Sequence, residues 1–228
     1  MTKYILVFII ISVVTFHSQS LNSLSGYYNI PIAEIYNDGS VVAGVFYIPY
    51  KFSQEKGFDR EAIGYFGAIS YFPFLEISLR FTKRLGPNYA LGDRMFSFKL
   101  RLIKEGKYFP SFAIGVQDFF HSTEAMTNRY NSLYSVITKN ISIGNVINNI
   151  SLTVGYGSDL IKANGYEYIG LFGGVSLMIL DHLEFIFEND ARFYNVGARI
   201  KVFENIFLLG GYRDLKYFSG GAGVCFQL

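Results

Sequence analysis

Two acidic residues in the last quarter of the sequence have the type and spacing that a glycosidase uses. Glu188 and Asp190 have one residue between them, so on a β-strand both carboxylates lie on the same face. Such a pair can serve as acid and base on a sugar only if a sugar-binding cleft surrounds it. We favour the alternative that they pair with Lys or Arg of neighbouring strands, and we predict no catalytic residue here.

His121 and Ser122 are the one adjacent pair that could form a base and a nucleophile, as in an outer-membrane lipase. A nucleophile needs a base within hydrogen-bond reach that is held by a third group, and both residues fall in an expected loop at 120–130. His182 falls in an expected tight turn, and no cluster of His, Cys, Asp or Glu has metal-ligand spacing. We therefore expect a non-enzymatic protein without a metal or cofactor, with a lipase-like enzyme as the less favoured alternative.

The segments that must position these residues alternate apolar and polar side chains. Between Leu75 and Thr82, for example, Leu79 and Phe81 fall on one face of a strand, while Glu76 and Arg80 fall on the other. The connections between such segments are alternately long and short. Strands cross a bilayer only when they close into a barrel with apolar residues toward lipid and polar residues toward the lumen. The pattern predicts an all-β, transmembrane, antiparallel up-and-down barrel.

Composition agrees with this prediction. Half of the residues are hydrophobic and the mean hydropathy is +0.25, which is high for a soluble protein. After the N-terminus no apolar run approaches the roughly 18 residues of a transmembrane helix, so the apolar residues must be distributed among strands. A net charge of +2 gives no electrostatic footprint for nucleic acid.

Three parts are expected along the chain. Residues 1–20 begin with Lys3 and an apolar run and end with small residues, which is typical of a cleaved signal peptide; a membrane anchor is the alternative. Residues 21–39 are expected to form a periplasmic N-terminal segment, and residues 40–228 an outer-membrane barrel. A soluble sandwich or lipocalin-like barrel is the alternative fold. We predict twelve strands near 40–48, 62–71, 74–83, 94–104, 110–119, 131–140, 148–157, 167–179, 183–191, 193–202, 205–213 and 216–227.

Carrying the alternation through the strands places charged residues of both signs inside the barrel. Because unpaired charge in a confined space is unfavourable, a balanced set of acids and bases is expected to form ion pairs rather than a filter for one sign. We therefore predict a plugged or constricted lumen, to which residues 21–39 contribute at the periplasmic mouth. The predicted lumen charge network consists of Glu76, Arg80, Lys99, Arg101, Glu188, Asp190 and Arg199.

Several stretches, in one order along nearly the whole mature chain, resemble the YjbH-type outer-membrane family, described as exopolysaccharide or capsule biosynthesis proteins. The most specific part of this resemblance is the pair Asp93-Arg94, together with a series of matching residues that ends at Asp118. The matching stretches are 26–44, 71–82, 93–119, 171–175, 183–190 and 194–202.

The resemblance implies a bacterial outer-membrane barrel that takes part in export or surface assembly of a polysaccharide. Its expected partners are outer-membrane lipid, surface polysaccharide, and periplasmic or lipoprotein secretion partners. A small general porin or a structural barrel without a glycan role is the main alternative.

Overall fold

The computed structural model describes residues 19–53, 60–86, 92–121, 130–144, 146–160 and 168–228. Within these ranges the chain forms twelve β-strands and one short 3-10 helix, Tyr50–Phe52. The strands are β1 (Ser40–Ile48), β2 (Ala62–Phe72), β3 (Leu75–Arg84), β4 (Asp93–Ile103), β5 (Ser111–His121), β6 (Ser132–Ser142), β7 (Ile147–Ser158), β8 (Gly170–Ile179), β9 (Leu183–Asn189), β10 (Tyr194–Phe203), β11 (Ile206–Arg213) and β12 (Tyr217–Gln227).

The strands form one closed sheet. Each strand pairs antiparallel with its neighbours in sequence, and β1 pairs with β12 from Ser40 opposite Gln227 to Tyr47 opposite Gly220. This last pairing satisfies the backbone groups that an open edge would leave unpaired. The predicted all-β, closed antiparallel barrel of twelve strands is confirmed, and every predicted strand end lies within three residues of the observed one.

The two ends of the barrel differ in their connections. At the end that we call the turn end, short segments join β2 to β3, β4 to β5, β6 to β7, β8 to β9 and β10 to β11. Both ends of the barrel sequence also lie there, because the Leu228 N–H donates to the Gly39 carbonyl at 2.8 Å. The remaining connections lie at the opposite end, which we call the loop end.

The two faces of the wall have opposite polarity. Leu79 and Phe187 on the outer face expose 50% and 48% of their surface, whereas the neighbouring Arg80 and Glu188 on the inner face expose none. A wall that is apolar outside and charged inside is the arrangement expected of strands surrounded by hydrocarbon. Within the described ranges, none of the helices has the length and hydropathy needed to cross a membrane.

The lumen is filled by chain that precedes β1. Every residue from Gln19 to Tyr36 is buried inside the barrel, and we call these residues the plug segment. Among its apolar side chains, Leu24, Tyr27, Tyr28 and Ile30 each expose 1% of their surface or less. The plug segment is not confined to the mouth of the barrel, because it contacts wall residues near both ends of the strands.

Candidate functional site

The plug segment lacks regular secondary structure that could satisfy its own backbone groups. Isolated bridges pair Gln19 with Ser25 and Gly26 with Pro31, and Ser23 has a φ of 80°, so the chain turns tightly over few residues. A buried N–H or C=O without a partner is unfavourable. The barrel wall must therefore supply hydrogen-bond partners, and its inward charges do so.

Glu76 on β3 and Lys99 on β4 hold Ser25 between them. The two side chains are fully buried and lie opposite each other in the sheet, with 3.4 Å between Nζ and the nearer carboxylate oxygen. Lys99 Nζ donates to the carbonyl oxygens of Ser25 and Ile32 at 2.8 and 3.0 Å. The Ser25 N–H and hydroxyl donate to Glu76 at 2.5 and 2.6 Å. These fixed partners offset the loss of hydration that a buried ion pair suffers.

Glu188 on β9 accepts hydrogen bonds from three successive backbone N–H groups of the plug segment. Their nitrogens belong to Tyr28, Asn29 and Ile30 and lie 3.1, 2.9 and 3.2 Å from the carboxylate oxygens. Successive N–H groups that converge in this way form an anion-binding nest, which is occupied here by a side chain of the same protein.

Asp190 continues this contact toward the loop end. Its Oδ2 accepts from the side-chain amides of Asn29 and Asn195 at 2.9 and 3.0 Å, and the Asn195 amide also donates to Glu188 at 3.0 Å. The sequence favours pairing of both carboxylates with Lys or Arg of neighbouring strands. They instead bind backbone and amide N–H groups, because the plug segment presents its donors where a cation would otherwise be needed.

Two arginines bind acceptors of the plug segment. On β10, Arg199 forms an ion pair with Glu184 of β9 and donates through Nη2 to the carbonyl oxygens of Gln19, Gly26 and Tyr27 at 2.8, 3.0 and 2.8 Å. Near the turn end, Arg101 lies 3.0 Å from Glu34 in an ion pair. All seven residues of the predicted charge network therefore bond to the plug segment, counting the contact of Arg80 described next.

Arg80 and Asp118 form a fully buried ion pair, with 2.6 Å between Nη2 and Oδ2. Arg80 Nη1 donates to the Asn22 side chain of the plug segment at 3.1 Å. Asp118 occupies a bulge in β5, where its register with β4 shifts and its φ is 57°. The bulge turns Asp118 inward although the preceding Gln117 also faces the lumen, so strict alternation would have placed it outside.

Two tyrosines cover the plug segment near the loop end. The rings of Tyr130 and Tyr168 stack with their centroids 4.8 Å apart. The Tyr168 hydroxyl bonds to Asn22 and Asn29, and the guanidinium of Arg80 lies 5.3 Å from the Tyr130 ring centroid. The plug segment is thus enclosed by aromatic side chains on this side.

A glycine in the wall makes room for an aromatic ring of the plug segment. A Cβ atom at Gly197 would lie 2.7 Å from Cδ2 of Tyr28, closer than real contacts allow. The Tyr28 hydroxyl crosses to β12 and donates to the Ser219 carbonyl at 2.7 Å. Gly197 thereby permits an aromatic side chain to lie flat against the wall.

The other sequence candidates lie away from this arrangement or outside the described ranges. Arg94 is exposed on β4, and the side chains of Asp93 and His121, like the whole of Ser122, are not among the described residues. His182 is exposed in the β8–β9 turn. Among described residues, no three His, Cys, Asp or Glu side chains are grouped so that they could hold a metal ion.

Sequence reasoning missed the polar residues of the plug segment that complete the site. Asn22, Ser25 and Asn29 each bond to at least one buried charged residue of the wall. Residues 19–36 combine amide and hydroxyl side chains with buried aromatics and lack the period of two, and that combination is the signal available in the sequence. The chemistry of the whole site is the binding of a peptide segment by fixed charges.

Comparison with known proteins identifies a family. The YjbH family, described as exopolysaccharide biosynthesis protein, matches residues 18–167, a range that contains the plug segment and β1 to β7. Among solved structures, the N-terminal β-barrel domain of Pseudomonas aeruginosa OprF matches with 9% sequence identity and a TM-score of 0.29, covering 83% of this chain and 98% of that one. No curated protein matches the chain.

Proposed function

Because this chain belongs to the YjbH exopolysaccharide biosynthesis family, we propose that it is a non-enzymatic outer-membrane barrel that takes part in exopolysaccharide or capsule export or surface assembly. Within that role, the barrel is a closed component of a larger assembly and polymer does not pass through it. The observation that carries the closed role is the plug segment, every residue of which is buried inside the lumen.

An outer-membrane location is supported by the polarity of the wall. Large side chains such as Leu79, Phe185 and Phe218 are about half exposed on the outer face, and an apolar area that surrounds a barrel is suited to lipid rather than to water. The charged residues of the barrel lie on its inner face, so they do not make the apolar outer face compatible with water.

A non-enzymatic role is supported by how the candidate catalytic groups are used. The carboxylates of Glu188 and Asp190 accept several hydrogen bonds from protein donors. A glycosidase would need these oxygens to face a sugar and an attacking water, whereas the plug segment occupies that side of both residues.

The closed lumen favours the polysaccharide role over the general porin. A porin needs an aqueous channel, which barrels of about 16–18 strands leave open, whereas this narrower barrel is filled by its own chain. Polymer must then cross the membrane elsewhere, in company with periplasmic or lipoprotein partners of the kind that secretion assemblies contain.

Deletion of the gene in its host tests this proposal. We expect the amount or cell attachment of extracellular polysaccharide to change, while the uptake of small hydrophilic antibiotics stays the same. Reintroduction of the unmodified gene should restore the polysaccharide. Altered antibiotic uptake with unchanged polysaccharide would contradict the proposal and support the porin.

Planar-bilayer recording on the purified barrel provides an independent test of the closed lumen. We expect the unmodified protein to give no large, stable conductance. A steady open channel from every inserted barrel would contradict the closed role and favour the porin.

A further inference from the structure

A cavity lies beside the plug segment. Its volume is about 330 Å³ and it is partly open. It lies near the turn end, where Lys104 and Glu105 of the β4–β5 turn border it. Ligand pockets typically measure about 300–1,000 Å³, so the space suits one small unit of a ligand. The six other polar residues on its lining are Glu34, Asn140, Asn149, Ser151, Ser176 and Glu184.

The lining is rich in hydrogen-bonding groups, and its three carboxylates are already paired with cations of the wall. Glu34 pairs with Arg101, Glu105 with Lys139 and Glu184 with Arg199. The amides of Asn140 and Asn149 and the hydroxyls of Ser151 and Ser176 offer both donors and acceptors. A neutral ligand with many hydroxyl groups matches this set without disturbing the ion pairs.

Glu34 also carries an unsatisfied acceptor. It exposes only 9% of its surface, and its Oε1 has no hydrogen-bond partner among the described residues. A buried acceptor without a partner is unfavourable, and Glu34 lies on the lining of the cavity. The lining itself carries three carboxylates against one cation, Lys104, and the cationic partners of the carboxylates do not line the cavity, so an acidic ligand would be repelled.

We propose that this cavity binds one neutral, hydroxyl-rich saccharide unit, and that it contacts polysaccharide at the turn end of the barrel. The assignment rests on the proposed polysaccharide function, to which it adds a site and a class of sugar. The closed lumen and this cavity are compatible, because the cavity is entered from the turn end and does not lead through the barrel.

Calorimetric titration of the purified barrel, in a detergent without a sugar head group, tests the cavity. The probes are the neutral trisaccharides cellotriose, mannotriose and galactotriose, with trigalacturonate as the acidic counterpart. We expect at least one neutral trisaccharide to bind, and trigalacturonate to bind about tenfold more weakly or worse. Ser176→Leu, which fills the cavity from β8, should weaken the neutral sugar by about tenfold or more, since small changes of fit alter affinity by about 10–200-fold.

Two further variants distinguish a filled cavity from a folding defect. Asn149→Leu fills the cavity at its partly exposed rim and should weaken binding in the same way, whereas Ser135→Leu places the same leucine on the outer face and should leave binding unchanged. Heat-dependent gel migration shows which variants have formed the barrel. Failure of all neutral trisaccharides to bind, equal binding of trigalacturonate, or unaltered binding by both folded cavity variants would overturn the assignment.

The deletion strain separates this inference from the proposed function. Changed extracellular polysaccharide in the deletion strain, together with no sugar binding by the purified barrel, would overturn the cavity assignment alone. Unchanged polysaccharide together with cavity-dependent sugar binding would overturn the proposed function and leave the cavity as a saccharide site.

Discussion

The backbone nitrogen of Asn29 lies 2.9 Å from the carboxylate of Glu188, although the two residues are 159 positions apart in the chain. The same carboxylate accepts from the N–H groups of Tyr28 and Ile30. A single side chain in β9 therefore fixes three residues of the plug segment. This contact links the state of the lumen to one carboxylate and makes it the first target for mutation.

Glu188→Ala should loosen the plug segment. Three buried N–H groups lose their acceptor, and each unsatisfied group destabilises by about 1–3 kcal/mol, so we expect a loss of about 3 kcal/mol or more in the free energy of unfolding by urea. Ion conductance should also appear in planar bilayers. Glu204→Ala, at an exposed residue of the β10–β11 turn, is the matched control and should change neither measurement.

Arg80 and Asp118 should behave as a coupled pair. Removing one partner of a buried ion pair destabilises by about 3–5 kcal/mol, because the other charge remains buried. We expect Arg80→Met and Asp118→Asn each to lower the free energy of unfolding by that amount, and the double variant to lose clearly less than the sum. Strict additivity in this double-mutant cycle would show that the two side chains do not stabilise each other.

Gly197→Val should displace Tyr28 from the wall. The added side chain overlaps the ring, and overpacking of this kind destabilises by about 1–3 kcal/mol. In a Tyr28→Ala background, Gly197→Val should cause a much smaller loss, because the overlapping ring atoms are absent. The measurement is urea unfolding of both variants, and a loss that Tyr28→Ala leaves unchanged would mean that the clash lies elsewhere.

A charge placed on the outer face should destabilise the barrel more strongly the closer it lies to the middle of the membrane. Leu79 lies in the middle of β3, so Leu79→Lys should destabilise the folded barrel in lipid by roughly 2–4 kcal/mol, whereas Phe72→Lys at the turn end of β2 should cost about 0–1 kcal/mol. Unfolding in lipid vesicles measures both. Equal effects at the two positions would argue against a membrane around this surface.

Glu105 in the β4–β5 turn should respond to acid. Partial burial raises the pKa of its carboxyl, but hydrogen bonds from Lys139 and from the side chain and backbone of Asn140 outweigh this and hold the pKa below 4.5. Because the pKa of Glu105 is lower in the folded than in the unfolded state, the ionised carboxylate stabilises the fold at pH values above the unfolded-state pKa. This stabilisation is lost as the pH falls through the folded-state pKa. NMR titration of Glu105 should show a higher pKa in Lys139→Met than in the unmodified protein.

The wall could be predicted from the sequence because lipid and lumen impose a period of two on every strand. Leu79 and Arg80 illustrate the point, since their exposures of 50% and 0% follow from adjacent positions. Asp118 could not be placed by this rule, because the bulge that turns it inward interrupts the alternation. The resemblance to the YjbH family includes Asp118 among its most specific residues, but the sequence does not predict that Asp118 pairs with Arg80.

The plug segment could not be predicted in detail because its contacts have no period. Asn22, Ser25 and Asn29 bond to residues on β3, β4 and β9, whose approach depends on closure of the whole barrel. The sequence therefore predicts charged side chains in the lumen and residues 21–39 at its mouth. It does not predict how far these residues extend into the barrel.

The plug segment precedes β1 in the sequence, but its bonds reach the last strands of the barrel. Tyr28 bonds to Ser219 on the last strand, 191 residues away, and Arg199 binds the Gln19 carbonyl from 180 residues away. Contacts of such sequence separation form late and make folding slow. The plug segment can therefore complete its native bonds only when the last strands are in place, so that filling of the lumen and closure of the wall are coupled steps of folding.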